Sequence, residues 1–456
     1  MEKPTEASPE TAAARRRANR LLAAVLVPLT LLTLIAMVLM WPSGSRDDIS
    51  FANPYAGAPG AKMETGKIQR VAVEDCMEGT GQAVEGMKGS QCTFVITEPD
   101  NGGVSVKVVM NPDVVKSHGV KPGDNISYLN LSTSQSGAVT GMPPYVFVDF
   151  VRSVPIILLS VLYGLVVVAV ARWRGFRALI GLVGAGVVLA TFILPGLVEG
   201  KPPLLLGLVG SIVIMIGVLY FAHGFSARTS TALLGTVFGL VITAVLAAWA
   251  TDAANLTGSS SYEAVTLINM SDRISLSSII LCGLIISGLG VLNDVTITQS
   301  SAVWELYELA PQTSARDLFA SGMRIGRDHI ASTVYTIAFA YAGAALPIII
   351  IVMLFNRPLG ESLTSVELSE EVVRTLVGSV GLVLAVPVTT LLAVLVVKAT
   401  GSRRSATSGE LKDDAPSTHS GEGPGIDSDH VIVTAGGTPV PGSRREARRL
   451  ANHATY

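Results

Sequence analysis

The chain of 456 residues is short of charge. Only 15% of its residues are Asp, Glu, Lys or Arg, whereas soluble domains contain about 25%. The shortage is concentrated in residues 153–398, which contain 12 Lys or Arg and 13 Asp or Glu. This uneven distribution excludes a single soluble globule, a fibrous protein and a disordered chain, and the net charge of −2 gives no reason to expect a nucleic-acid partner. The sequence therefore predicts a polytopic α-helical membrane protein with polar segments outside the bilayer.

Sequence motifs of catalysis and metal binding are lacking as well. The chain contains no H-E-x-x-H, no G-x-x-x-x-G-K-[ST] and no G-x-S-x-G. Three of its six histidines lie near the C-terminus, and none of the six has the spacing of a metal ligand set. We therefore expect no enzyme, no cofactor and no metal site.

Eight segments reach the roughly 20 mostly apolar residues that a helix needs to cross the hydrocarbon. They are residues 21–41, 155–171, 178–198, 204–222, 231–250, 274–295, 330–355 and 376–397. The first segment follows four arginines, as in a signal peptide, but its apolar run is longer than the about 7–15 residues of a signal sequence. We interpret it as an uncleaved anchor, and cleavage is the alternative.

Basic residues indicate the orientation, because cytoplasmic loops are enriched in Lys and Arg. With the N-terminus inside, the cytoplasmic loops contain Arg172, Arg174, Arg177, Arg228, Arg316, Arg324 and Arg327. This predicts a plasma-membrane protein with both termini in the cytoplasm. Residues 1–20 would form a cytoplasmic arm, 42–152 an extracytoplasmic domain, 153–398 a seven-helix membrane domain and 399–456 a disordered cytoplasmic tail.

The extracytoplasmic domain is predicted to be rich in β-strands. Residues 67–73, 92–97 and 104–109 are short runs rich in β-branched side chains, separated by Gly, Pro, Asn and Asp. They favour a small barrel or a sandwich, with an OB-like fold as the preferred interpretation. Cys76 and Cys92 are the cysteines of this domain, and an exported compartment permits a disulfide between them; two free thiols are the alternative.

Polar residues at the end of the sixth apolar segment form the candidate site. An ionisable side chain in the hydrocarbon usually faces the protein interior or a water-filled cavity. Asp294 could bind a proton, a cation or a solute, with the neutral ligands Asn293, Thr296, Thr298 and Gln299. Since residues 274–293 already contain enough apolar length to span the membrane, the alternative is that Asp294 only marks the cytoplasmic interface.

Two further segments could complete this site. Arg327 or His329 would pair with Asp294 on the cytoplasmic side and keep it ionised, whereas Asp328 suits the positive end of a helix in its first turn. Pro387 removes a backbone donor inside an apolar segment, and such broken helices form binding sites in transporters. The predicted break includes Thr389 and Thr390, whose hydroxyls would re-satisfy the backbone.

The sequence resembles the YibE/F family of bacterial multi-pass membrane proteins over about residues 60–397. Six segments carry the resemblance: LGVLNDV at 289–295, WEL at 304–306, GRDH at 326–329, AYAGAALP at 340–347, EEVVRTLVGSVGL at 370–382 and AVPVTT at 385–390. The resemblance implies a membrane architecture and little about function, since such proteins are described either simply as membrane proteins or as efflux-type permeases, without an established substrate.

We therefore expect a secondary permease for an unidentified small solute or ion, driven by an ion gradient. The alternative is an envelope interaction or sensory protein whose residues 42–152 bind a protein partner. Besides the lipid bilayer and the solute, the expected partners include further copies of the chain in a homo-oligomer.

Overall fold

The computed structural model describes residues 9–44, 61–75, 91–117, 119–132, 144–258, 266–267, 275–354 and 358–401. Helix α1, Pro9–Leu39, is followed by five strands: β1 Lys62–Asp75, β2 Gln91–Pro99, β3 Val106–Val109, β4 Asn125–Asn130 and β5 Tyr145–Phe150. A short helix α2, Pro112–Ser117, lies between β3 and β4. Of the predicted regions, residues 1–8, 45–60 and 402–456 lie outside the described ranges.

The strands close into a barrel in the order β1-β2-β3-β5-β4. The long strand β1 makes closure possible, since its first half pairs with β4 and its second half with β2. Gly66 lies where the two pairings meet, and a Cβ there would come within 2.5 Å of the Glu98 backbone oxygen. The five-stranded barrel is thus the first of the two folds that the sequence left open.

The barrel has its own hydrophobic core. Ile68, Val95, Val108, Ile126 and Tyr128 belong to it and are all almost completely buried. Cys92, at the start of β2, is disulfide-bonded, and its predicted partner Cys76 lies outside the described residues.

Within the described residues, nine α-helices and one π-helical turn follow the barrel. They are α3 Ser153–Val188, which continues through a π-helical turn Leu189–Ile193 into α4 Leu194–Val198, then α5 Pro203–His223, α6 Ala227–Ala253, α7 Leu276–Leu309, α8 Ala315–Ala344, α9 Leu346–Leu354, α10 Leu359–Leu363 and α11 Val366–Gly401. Among the described residues, six helices are long and apolar enough to cross a membrane, or seven if α8 and α9, bent by 66°, form one span. The predicted number was eight, and the difference arises in Ser153–Val198, a segment of 46 residues that counts as one helix but covers two predicted spans.

This 46-residue segment reverses direction at Arg172. The φ and ψ of Arg172 are 52° and −133°, far from helical values. A Cβ at Gly164 would lie 3.8 Å from the Leu179 side chain, although 15 residues of straight helix would separate these positions by about 22 Å. The segment is therefore a helical hairpin, which we call the Arg172 hairpin.

The centre of the helix bundle is an antiparallel contact between α6 and α11. A Cβ on Gly235 would lie 2.0 Å from Thr389 Oγ1, and a Cβ on Gly381 would lie 2.0 Å from Thr243 Oγ1. Gly239 lies between these positions, and a Cβ there would lie 2.5 Å from the Leu292 side chain of α7 and 3.1 Å from the Ala385 Cβ of α11. Small residues four apart on both helices thus let the backbones approach closely, as is common in membranes.

Candidate functional site

The position of Asp294 along α7 can be measured against α6. The Ser300 hydroxyl donates to the backbone oxygen of Arg228 at 2.9 Å, so Ser300 lies level with the first turn of α6. We call this level the Arg228 end of the bundle. At 1.5 Å per residue, Asp294 lies about 9 Å from the Arg228 end and about 27 Å from Leu276, where α7 begins.

Asp294 lies beside His329 of α8. The distance from His329 Nε2 to Asp294 Oδ2 is 3.9 Å, too long for a hydrogen bond but within reach of an ion pair if the imidazole is protonated. The Asp294 side chain is 71% exposed and the His329 side chain 30% exposed. His329 Nε2 and the neighbouring Asn293 Oδ1 are both buried atoms that have no hydrogen-bond partner within the described residues. Within the described residues, His329 Nε2 and Asn293 Oδ1 therefore have unused hydrogen-bonding capacity near the accessible Asp294 carboxylate.

Arg327 and Asp328 do not join this pair. Both side chains are exposed, and neither forms an ion pair within the described part of the chain. Asp328 is also not in the first turn of its helix, because α8 begins at Ala315. Ser314 and Asp317 cap that helix instead, with the Asp317 backbone N–H donating to the Ser314 hydroxyl at 3.1 Å.

The side chain of Gln299 links three helices, α7, α8 and α11. It is 2% exposed, and its Nε2 donates to the Gly322 backbone oxygen of α8 at 2.8 Å and to Thr390 Oγ1 of α11 at 2.7 Å. Both amide protons are therefore used. The Thr390 hydroxyl in turn donates a hydrogen bond to the backbone oxygen of Val386 at 2.7 Å. These contacts stabilise the bundle and leave no amide donor for a ligand.

The predicted threonines fall into two groups. Thr296 is buried, with its Oγ1 2.6 Å from that of Thr236 on α6, whereas Thr298 is exposed one turn after Asp294. Thr389 is fully buried in the α6–α11 contact, and its hydroxyl lacks a hydrogen-bond partner within the described ranges. Of these three, Thr298 alone shares the open side of Asp294.

Pro387 does not break α11. The helix continues from Val366 to Gly401 with Pro387 inside it. The carbonyl that the proline leaves free is that of Val383, four residues earlier, but the Thr390 hydroxyl donates to Val386 instead. The helix is therefore continuous through Pro387, and the discontinuous segment predicted there is absent from the described α11.

Polar and small residues extend the candidate site along both helices, on a surface that the sequence analysis missed. Exposed Ser332 and Thr336 follow His329 at spacings of three and seven residues, so they share its helix face. On α7, Ser287 and Gly290 precede Asp294 at spacings of seven and four, and a Cβ on Gly290 would meet nothing within 4 Å. The antiparallel register set by Asp294 and His329 brings Ser287 level with Thr336. We call the surface formed by these residues the polar face, and its members are Ser287, Gly290, Thr298, Ser332 and Thr336.

The ion pair of Arg374 and Glu371 is not part of this site. Arg374 pairs with Glu371 at 2.6 Å and lies 5.9 Å from the centre of the Tyr341 ring. Tyr341 lies about 18 Å from His329 along α8. Within the described ranges, no group of three or more His, Cys, Asp or Glu side chains could hold a metal ion.

Several helices long and apolar enough to cross a membrane, with buried polar contacts between them, indicate an α-helical membrane protein. Comparison with known families then places it more closely: a family model described as YibE/F-like protein matches residues 159–399. The chain therefore belongs to the YibE/F-like family. The matched region contains the polar face but not the barrel, so it begins later in the chain than the resemblance suggested. No curated protein and no solved structure matches the chain.

Proposed function

We propose that the protein is a secondary permease in which Asp294 and His329 bind the transported or coupling ion. The observation that carries this proposal is the exposed Asp294 carboxylate beside His329, set back from the Arg228 end of the bundle. A charged side chain facing hydrocarbon costs at least about 2.5 kcal/mol. A water-filled path along the polar face removes that cost, because the carboxylate stays hydrated.

The chemistry of the pair suits a small cation or a proton. When the imidazole is neutral, Asp294 offers a negative charge to a cation; when it is protonated, the two side chains neutralise each other. Binding and release of one proton would therefore change the net charge of the site. The hydroxyls of Ser332 and Thr336 provide neutral ligands along the same face.

The proposed topology places the Arg228 end in the cytoplasm and the barrel outside the plasma membrane. Two contacts support it: the Gly44 backbone N–H donates to Glu199 at 2.8 Å, and the Lys201 ammonium donates to the Trp41 backbone oxygen at 2.7 Å. The end of α1 and the end of the Arg172 hairpin therefore lie on one side. If the barrel is also there, the hairpin crosses the membrane twice, and the bundle crosses eight times in all.

The test compares small molecules inside and outside cells of a deletion strain that produces the wild type or a variant. Asp294→Asn and His329→Gln remove the charge and the imidazole, respectively. Glu308→Gln is the matched control, because Glu308 is an exposed acid further along the same helix. Membrane accumulation of each variant is measured by immunoblotting.

We expect wild type and Glu308→Gln to restore the distribution of one solute, and Asp294→Asn to fail at normal accumulation. If Asp294→Asn restores it as well as wild type, the proposed role of the carboxylate is wrong. If no solute shifts but loss of residues 45–145 abolishes a cellular phenotype, the protein acts through a partner of the barrel and not by transport.

A further inference from the structure

The turn of the Arg172 hairpin concentrates positive charge that nothing in the described protein balances. Arg172 and Arg174 are exposed and Arg177 is half-buried. None of the three forms an ion pair with an acidic side chain within the described residues. Three arginines within six residues therefore have guanidinium groups free for an external anion.

Two aromatic rings lie among these arginines. The rings of Trp173 and Phe176 stack with centroids 5.1 Å apart and planes 25° apart. The guanidinium of Arg177 lies 5.8 Å from the centre of the Trp173 ring, within the range of a cation–π interaction. This stack orients Arg177 while Trp173 remains 62% exposed. Amphipathic aromatic rings beside basic side chains are typical of the lipid headgroup level.

The backbone of the turn holds the charges together at some cost. Arg172 has a φ of 52°, and a non-glycine residue in such a sparsely populated region is strained by about 1–3 kcal/mol. Gly175 makes the turn tight, because a Cβ there would lie 2.5 Å from the Val167 backbone oxygen. The turn thus keeps the backbones of Arg172, Arg174 and Arg177 within one tight reversal of the chain.

The rest of the hairpin exposes apolar side chains. None of the residues in its most apolar 18-residue window is buried inside the protein, and Val166, Val170 and Leu182 are each more than half exposed. Such a surface has to be covered by lipid chains in a membrane protein. The turn between its two helices then lies among the headgroups of one leaflet.

We propose that the turn of the Arg172 hairpin binds the phosphate of an anionic phospholipid. The guanidinium groups match phosphate oxygens in geometry and charge, and the aromatic stack contacts the glycerol and upper acyl region. An anionic lipid fits better than a zwitterionic one, because the unbalanced arginines attract net negative charge. This inference does not depend on permease activity.

The test measures lipid retention by the purified full-length protein. Detergent-solubilised protein is incubated with phosphatidylglycerol or phosphatidylcholine, and bound lipid is counted by native mass spectrometry. The double variant Arg174→Gln/Arg177→Gln removes two of the charges. The matched control is Arg316→Gln/Arg324→Gln, because both arginines are exposed basic residues of α8.

We expect the wild type and the control to prefer phosphatidylglycerol, and the Arg174→Gln/Arg177→Gln variant to bind it at least tenfold more weakly. If that variant is not monodisperse, Arg174→Gln alone is measured, with an expected loss of at least threefold. Equal retention by the wild type and the hairpin variant would overturn the proposal. So would an equal loss in the control, or full competition by inorganic phosphate, which would identify a site for soluble anions.

Discussion

Gly381→Ala tests whether the close contact of α6 and α11 limits the stability of the bundle. The new Cβ would lie 2.0 Å from Thr243 Oγ1, so the two helices would have to separate or the threonine would have to move. Overpacking of this kind costs about 1–3 kcal/mol. Alanine also favours a helix over glycine by about 0.5–1 kcal/mol, and this gain would hide part of the cost.

Gly378→Ala separates the two effects. Gly378 lies three residues away on the same helix, and a Cβ there would meet nothing within 4 Å. Both variants gain the same helix propensity, so their difference in the free energy of unfolding measures overpacking alone. We expect Gly381→Ala to be less stable than Gly378→Ala by about 1–3 kcal/mol.

A second substitution identifies the atom responsible. Thr243→Ala removes Oγ1 and leaves the Thr243 Cβ position 3.3 Å from the new methyl group, so it should restore most of the loss in Gly381→Ala. Thr243→Val keeps a branched side chain and should not. The assay is reversible unfolding in mixed micelles with increasing sodium dodecyl sulfate. Equal stability of Gly381→Ala and Gly378→Ala, or rescue by Thr243→Val, would refute the packing argument.

Three further predictions concern the other parts of the chain. Gln299→Leu should destabilise the bundle by about 1–3 kcal/mol in the same assay, because it removes two buried hydrogen bonds that link α7 to α8 and α11. Unchanged stability would contradict the structural role of this side chain. In a background without reactive cysteines, Ser117→Cys should react with a membrane-impermeant maleimide in intact cells, whereas Trp173→Cys should react only after permeabilisation. Two crossings by the Arg172 hairpin require this difference. A Trp173→Cys variant that reacts in intact cells would disprove this topology. Burial and the neighbouring Glu64 raise the pKa of Tyr128 above its usual value near 10, so its neutral phenol stabilises the barrel fully below pH 10, and this contribution is lost as the pH rises through the raised pKa. Circular dichroism should therefore show stability falling more steeply above pH 10 in the wild type than in Tyr128→Phe, and parallel curves would count against the shift.

The proximity of Asp294 and His329 was predictable because it depended on sequence order. Two consecutive helices joined by a short turn must be antiparallel, so residues at similar distances from the turn lie level with each other. The choice of His329 over Arg327 was not predictable. It depends on the rotation of α8 about its axis, which is set by the buried glycines Gly322 and Gly326 against Gln299.

The Arg172 hairpin shows the same division. Apolar length predicted two spans at residues 155–171 and 178–198, and the structure joins them in one helical segment. Hydropathy carries no information about whether the backbone between two spans is a loop or a strained turn. The positive φ of Arg172 became visible only in the folded chain.

The sequence by itself determined the class of protein, the apolar segments and the strand-rich region, since hydropathy and side-chain periodicity are local properties. Only the tertiary structure decided that Gln299 meets partners 23 and 91 residues away. It also decided that Gly235 of α6 opposes Thr389 of α11 and that Gly381 of α11 opposes Thr243 of α6. Helices in lipid are not driven together by the hydrophobic effect, so the amino-acid composition of a helix does not show which neighbour it pairs with. The pairings follow from the sizes of side chains that meet at one level, and the level is fixed only when all the helices pack together.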